Sequence, residues 1–161
     1  MSNADSEDWP TLDELEAQER DLVLQQADLG ALYKLGHLMS TAAAERALPI
    51  VIQIRFGGRL VFVSALPGST ASNDDWATRK ARVAQHFEHS SLHVRLAHEL
   101  DGQDVNTQNA LSPELFRAFG GAFPLRAHGV GVIGTVVVSG LPQLDDHAFV
   151  IEQLKAHLKT G

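Results

Sequence analysis

Cysteine is absent from the chain. That excludes a disulfide framework, thiolate-held zinc or iron–sulfur clusters, and a cysteine nucleophile. Long apolar runs are missing as well. The longest near-continuous stretch, Val132 to Val138, is interrupted by Gly134 and Thr135 and falls far short of the roughly 20 residues a membrane helix needs. No membrane span is predicted. An excess of positive charge is also lacking: the net charge is -7, and residues 1 to 21 hold eight acids against the single base Arg20, leaving twelve of each sign elsewhere. A near-neutral body behind an acidic leader offers no footprint for duplex DNA or anionic lipid, so no nucleic-acid or membrane partner is expected. The N-terminus carries neither a basic segment nor an apolar one, which predicts a cytoplasmic protein. No G-x-S-x-G elbow, H-E-x-x-H helix or phosphate-binding loop occurs, so the motifs name neither a nucleophile nor a metal base.

What is present suffices for a core. With 161 residues and 44% hydrophobic side chains, one domain burying about 68–70% of its unfolded surface is expected. Residues 1–8 contain three acids and no cluster of large apolar side chains, so they read as a mobile leader, dispensable for folding, ahead of a single domain over residues 9–161. Leu12, Leu15, Leu22 and Val23 suggest a first helix, and Leu32, Leu35, Met39 and Ala42 mark one face of a second over residues 29–46. Ile50, Ile52, Ile54 and Phe56 alternate with Val51, Gln53 and Arg55, and a second alternating run covers Arg59 to Ala65. Gly57-Gly58 between them predicts a two-residue hairpin. A long helix is expected from Asp74 with Asn73 as its cap, and a short one from Ser112-Pro113 to Phe119. Strands over Phe123–Arg126 and Val130–Ser139 and a last helix to about Lys159 complete the order. Strands that come in hairpins predict an α+β domain around an antiparallel sheet.

Gly129-Val130-Gly131-Val132-Ile133-Gly134 spells the dinucleotide fingerprint G-x-G-x-x-G. That motif works only between a strand and a helix, whereas here Thr135 to Val138 continue a strand, so the glycines are read as close packing or a bulge. His86, His89 and His93 have the spacing of one helical face, and His89 with His93 is an i, i+4 pair able to hold a divalent metal. The sequence supplies no third ligand, Ser90-Ser91 is placed to bend or end the helix, and a solvated polar face is the simpler account. Asp145, Asp146 and His147 open the last helix, where acids suit the dipole.

Residues 76–87 are more informative. Trp76, Val83 and Phe87 form an apolar stripe, and Lys80 lies on it, four residues after Trp76 and three before Val83. Either its ammonium reaches past the apolar side chains to water, or it lines a cleft for an anionic group, with Arg79 offering a fork to carboxylate or phosphate.

Several blocks together resemble one family. They are Pro49-Ile50-Val51-Ile52 with Ile54-Arg55, Ala65-Leu66-Pro67-Gly68, Asn73 with Trp76 and Arg79-Lys80, Ser90-Ser91, Gly120-Gly121 with Phe123-Pro124-Leu125, Gly131 with Ile133-Gly134-Thr135-Val136, and Val138-Ser139-Gly140-Leu141-Pro142-Gln143 with Asp146-His147. The chain resembles the haem-degrading, HbpS- and GlcG-like proteins over about residues 28–158. The resemblance implies a profilin-like domain with five antiparallel strands and homo-oligomers. Four strands are read above, and residues 104–111 are the place left for a fifth. The chain departs from that pattern at Phe119, where relatives often carry histidine, and at Gln53, where an acid is common.

The leading expectation is therefore an oligomeric protein that binds a small anionic or tetrapyrrole-like ligand, haem being the candidate cofactor. Trp76, Arg79, Lys80, His86, Ser139 and His147 are the candidate site residues. Two alternatives stand beside it. One is an interaction module in which Lys80 and Arg79 pair with acids such as Asp145 or Asp146. The other is an enzyme of haem or redox chemistry that would use His86 or His147.

Overall fold

The computed structural model describes residues 8–160, so the expected leader lies outside it except for Asp8. The elements in chain order are α1 (Leu12–Asp21), β1 (Val23–Leu24), α2 (Leu29–Glu45), β2 (Val51–Phe56), β3 (Arg59–Ala65), α3 (Ala71–Phe87), α4 (Ser91–Leu100), α5 (Val105–Asn109), β4 (Ala122–Ala127), β5 (Gly131–Ser139) and α6 (Gln143–Thr160). The strands make one sheet in the order β1-β4-β5-β2-β3. Alternation about Gly57-Gly58 produces the β2–β3 hairpin, and β5 pairs antiparallel with both β2 and β4. The α+β class is as read from the sequence, but the sheet is mixed.

Four details differ from the sequence expectations. The fifth strand is β1, which pairs parallel with β4 through Val23–Arg126 and Leu24–Ala127. Residues 105–109, within the stretch left for that strand, are helical because Asp104 accepts the Thr107 N–H and caps α5. The helix expected over residues 112–119 does not form beyond a turn: the Asn106 side chain donates to the Leu111 and Phe116 carbonyls and holds the segment as a loop. Finally, Thr70 and not Asn73 caps α3. Asn73 is the third helical residue, and its side chain closes a reciprocal capping box with Thr70.

The two sheet faces are filled differently. α2 and α6 cover one with Leu32, Leu35, Met39, Phe149, Val150 and Leu154 against Ile52, Ile54, Phe123 and Val136. α3 covers the other with small side chains, Ala77, Ala81 and Ala84, against Ala122 and Val137. The alanine face lets α3 lie close to the strands, which is the condition for the burial of Lys80 described below. Gly134, one of the fingerprint glycines, sits where β5 passes β2, and a Cβ there would overlap the Arg55 carbonyl. No helix follows it, so Gly134 has a packing role, whereas Gly129 and Gly131, with φ of +77° and +98° and open space around them, serve the β4–β5 turn.

The outer side of β4 is closed. Ala122 donates its N–H to Ser91 Oγ at 3.0 Å, and that hydroxyl donates back to the Ala122 carbonyl at 3.4 Å. Pro124 has no N–H to offer, and β1 takes the last two residues. β3 at the opposite end pairs with β2 on one side, has no strand on its outer side among the described residues, and exposes Leu60 and Val63.

Candidate functional site

Lys80 projects from the alanine face of α3 and is 2% exposed. It neither snorkels to water nor stands as a free cation. Its ammonium donates to the Gly120 carbonyl at 2.9 Å, the Val138 carbonyl at 2.7 Å and Asp146 Oδ2 at 3.1 Å. Gly121 must be glycine beside it, because its φ is +134° and a Cβ would meet Lys80 Nζ. Asp146 lies in the first turn of α6, where its other oxygen accepts the Leu141 N–H at 3.0 Å. Burial pushes the Asp146 carboxyl up to about 6 in spite of the lysine, and burial likewise pulls the Lys80 ammonium down against the opposing pull of Asp146. Each charge is thus stabilised by its partner and disfavoured by the site.

A hollow of about 270 Å³ opens outside this pair, walled by Trp76, Phe119 and Ser139 with Lys80 and Asp146 at its base. Trp76 and Phe119 meet edge to face at 5.1 Å. The Arg79 guanidinium lies 5.8 Å and that of Arg117 5.7 Å from the indole centroid, and Arg117 is also 5.3 Å from the Phe119 ring. Among the described residues neither arginine has a carboxylate at ion-pair distance. Arg95 lies over the Phe119 ring at 4.3 Å and pairs with Glu99 at 3.0 Å. Phe119 lines both the Trp76 hollow and a second one of about 340 Å³ that Arg95, Arg117 and Asp104 help to line.

Of the six candidates, Trp76, Arg79, Lys80 and Ser139 come together here. His86 does not: it is exposed near the end of α3, against Phe87 and Phe116. His147 is buried in the first turns of α6, where its Nε2 donates to Gln18 Oε1 of α1 at 2.8 Å and its Nδ1 has no partner among the described residues. Burial pulls it down to about 4, so it is neutral. It faces a separate cleft of about 890 Å³ that Trp9, Pro10, Lys155 and Ile151 help to line. Arg117 and Phe119 are the site residues that motif reading missed. Both lie in the segment read as a short helix, and only the unexpected phenylalanine before Gly120-Gly121 marked the place.

Comparison with known proteins places the fold. The model of the haem-degrading HbpS-like proteins matches residues 28–155. The chain belongs to the HbpS-like family. Relatives of this HbpS-like chain include a UPF0303 protein of Streptomyces avermitilis, 44% identical over 146 residues and covering 91% of this chain and 90% of the relative. Another, from Paraburkholderia phymatum, is 42% identical over 147 residues, with 91% and 89% covered. Among solved structures, the Ybr137w protein superposes with a TM-score of 0.87 at 24% identity, covering 98% of this chain and 93% of that one. A PduOC–haem complex reaches 0.69 at 18% identity, covering 81% and 94%. HbpS itself reaches 0.64 at 21% identity, covering 84% and 94%. These likenesses establish the HbpS-like fold. Among the described residues no helix is long and apolar enough to cross a membrane.

Proposed function

We propose that this chain is a cytoplasmic binding domain for a planar molecule that carries carboxylates, with the ring against Trp76 and Phe119 and the acids on Arg79 and Arg117. The observation that carries the reading is a pair of guanidiniums within 5.8 Å of one indole, neither with a carboxylate at ion-pair distance among the described residues. Such groups recognise carboxylates through paired hydrogen bonds, and the aromatic surface suits a flat ring. Lys80 is assigned a different part from the one its sequence position suggested: paired with Asp146, it holds the floor of the hollow and leaves ligand charge to the arginines. The haem held by the PduOC protein, together with the family's description, makes a tetrapyrrole acid the first molecule to test. The hollows of about 270 and 340 Å³ lie at the lower end of the roughly 300–1,000 Å³ of small-molecule pockets, so a haem would be gripped by its propionate edge and not engulfed.

Titration of the protein with hemin, followed in the Soret band, tests the reading. A saturable shift is expected, weakened at least ten-fold by the double change Arg79→Ala and Arg117→Ala. Absence of a shift with hemin, followed by equal binding of smaller aromatic carboxylates to wild type and double variant, would end it.

A second reading, a module that assembles with copies of itself, is favoured by one specific observation. The cation first assigned to a ligand is already neutralised within the chain, and the open strand β3 exposes Leu60 and Val63. The hemin titration separates the two when read beside light scattering, since a module that only assembles self-associates and gives no saturable shift.

A further inference from the structure

We infer that Glu19, His89 and His93 form a site for one divalent transition-metal ion, zinc being the type, which ties α1 to the junction of α3 and α4. The break at Ser90-Ser91 builds it. α3 stops at Phe87, Ser90 caps α4, and the turn brings His89 onto His93 with ring centroids 4.2 Å apart. The third member comes from α1, seventy residues away in sequence, so a spacing motif does not reveal it. One donor atom from each of the three residues lies within 4.8 Å of the others.

The chemistry of the donors fits an ion. Two imidazoles and one carboxylate are a recurrent set for zinc, leaving a fourth position to water. Glu19 is 5% and His93 8% exposed, so the ligands are held by packing. His93 Nε2 lies 3.2 Å from Glu16 Oε1, which assigns its proton to that side and leaves Nδ1 with a lone pair. That Nδ1 is buried and has no hydrogen-bond partner among the described residues. A carboxylate behind a histidine in this way is the usual outer support of a metal ligand. His89 Nδ1 is 3.0 Å from Glu19 Oε1, a contact the ion would replace, and its side chain is 43% exposed, so it is free to rotate from the stacked arrangement and admit the ion. Other groups face Glu19: Arg126 Nη1 at 3.2 Å, itself held by the Glu88 carbonyl, and the Ser90 N–H at 3.4 Å. The arginine offsets part of the carboxylate charge. Selection therefore rests on the imidazoles, which favour zinc, cobalt or nickel over calcium or magnesium.

The test uses untagged full-length protein stripped with chelator and titrated with Co²⁺ and then Zn²⁺. One equivalent of Co²⁺ should give visible absorption that Zn²⁺ abolishes, and Zn²⁺ should raise the melting temperature. His89→Ala, at a partly exposed position, should keep the fold and lose both effects. Glu16→Gln should weaken Co²⁺ about 10–100-fold. His37→Ala, on α2, should change nothing. No saturable absorption in the wild type, the same absorption in His89→Ala, or equal stabilisation by Mg²⁺ overturns the assignment.

Discussion

A lysine and an aspartate sealed from water, as Lys80 and Asp146 are, stabilise a fold less than they penalise the loss of either one. Lys80→Met strands the Asp146 charge and frees the Gly120 and Val138 carbonyls, so a cost of about 3–5 kcal/mol is expected in urea unfolding, with partial recovery in Lys80→Met/Asp146→Leu. If the double variant is no more stable than the single one, the stranded charge is not the cause. The neighbouring histidine makes a prediction of pH dependence. His147 titrates at about 4 when folded and near 6.5 when unfolded, so the unfolded chain takes up the extra proton between those values. Its contribution is complete above about pH 6.5 and is lost as the pH falls toward 4. Asp146 runs the other way: its folded value of about 6 exceeds the ordinary 3.8, so the folded chain holds the proton and gains stability as the pH falls through that window. The two slopes oppose each other. His147→Gln should expose the Asp146 slope, and its urea midpoint should rise relative to wild type between about pH 6.5 and 5. Parallel profiles for the two proteins would show that His147 does not titrate as stated.

Among the elements, β5 depends on close approach. Gly134→Ala places a methyl against the Arg55 carbonyl and Phe56 Cα of β2 and should cost about 1–3 kcal/mol, while Gly58→Ala, with open space around it, should stay within about 0.5 kcal/mol. Equal midpoints for the two variants would remove the packing account of Gly134. The hairpin, α2 and α6 were legible because each carries its own period over many residues, and β5 because its apolar run is closed by Leu141-Pro142. β1 was not, since Val23-Leu24 is too short to show a period and continues the apolar spacing of α1. The loop over residues 112–119 was misread because the Asn106 side chain, not local preference, decides it. The site divides in the same way. Trp76, Lys80 and Ser139 were legible from the α3 stripe and the family blocks, whereas Asp146 stood only beside Asp145 as an acid that Lys80 or Arg79 would pair with in an interaction module. Arg117 and Glu19 reach their sites only through tertiary contacts, which no spacing encodes.

At the scale of the whole molecule, the expectation of homo-oligomers is testable at one surface. The outer edge of β3 has no strand beside it among the described residues, and Leu60 is 46% and Val63 50% exposed there, the features of a strand edge open to a second chain. Val63→Lys should shift light-scattering mass toward the monomer without lowering the melting temperature, and an unchanged mass would assign assembly to another face. The other margin of the sheet bears on how far such growth can go. Ser91 and Pro124 close most of β4, and the margin beyond it is β1, only two residues long, so among the described residues β3 is the one long open border of the sheet. A unit with one sticky side saturates on meeting its twin. Concentrating this protein through that border should therefore yield a closed pair with a two-fold axis, and not a thread, because neither member retains a place for a third to add.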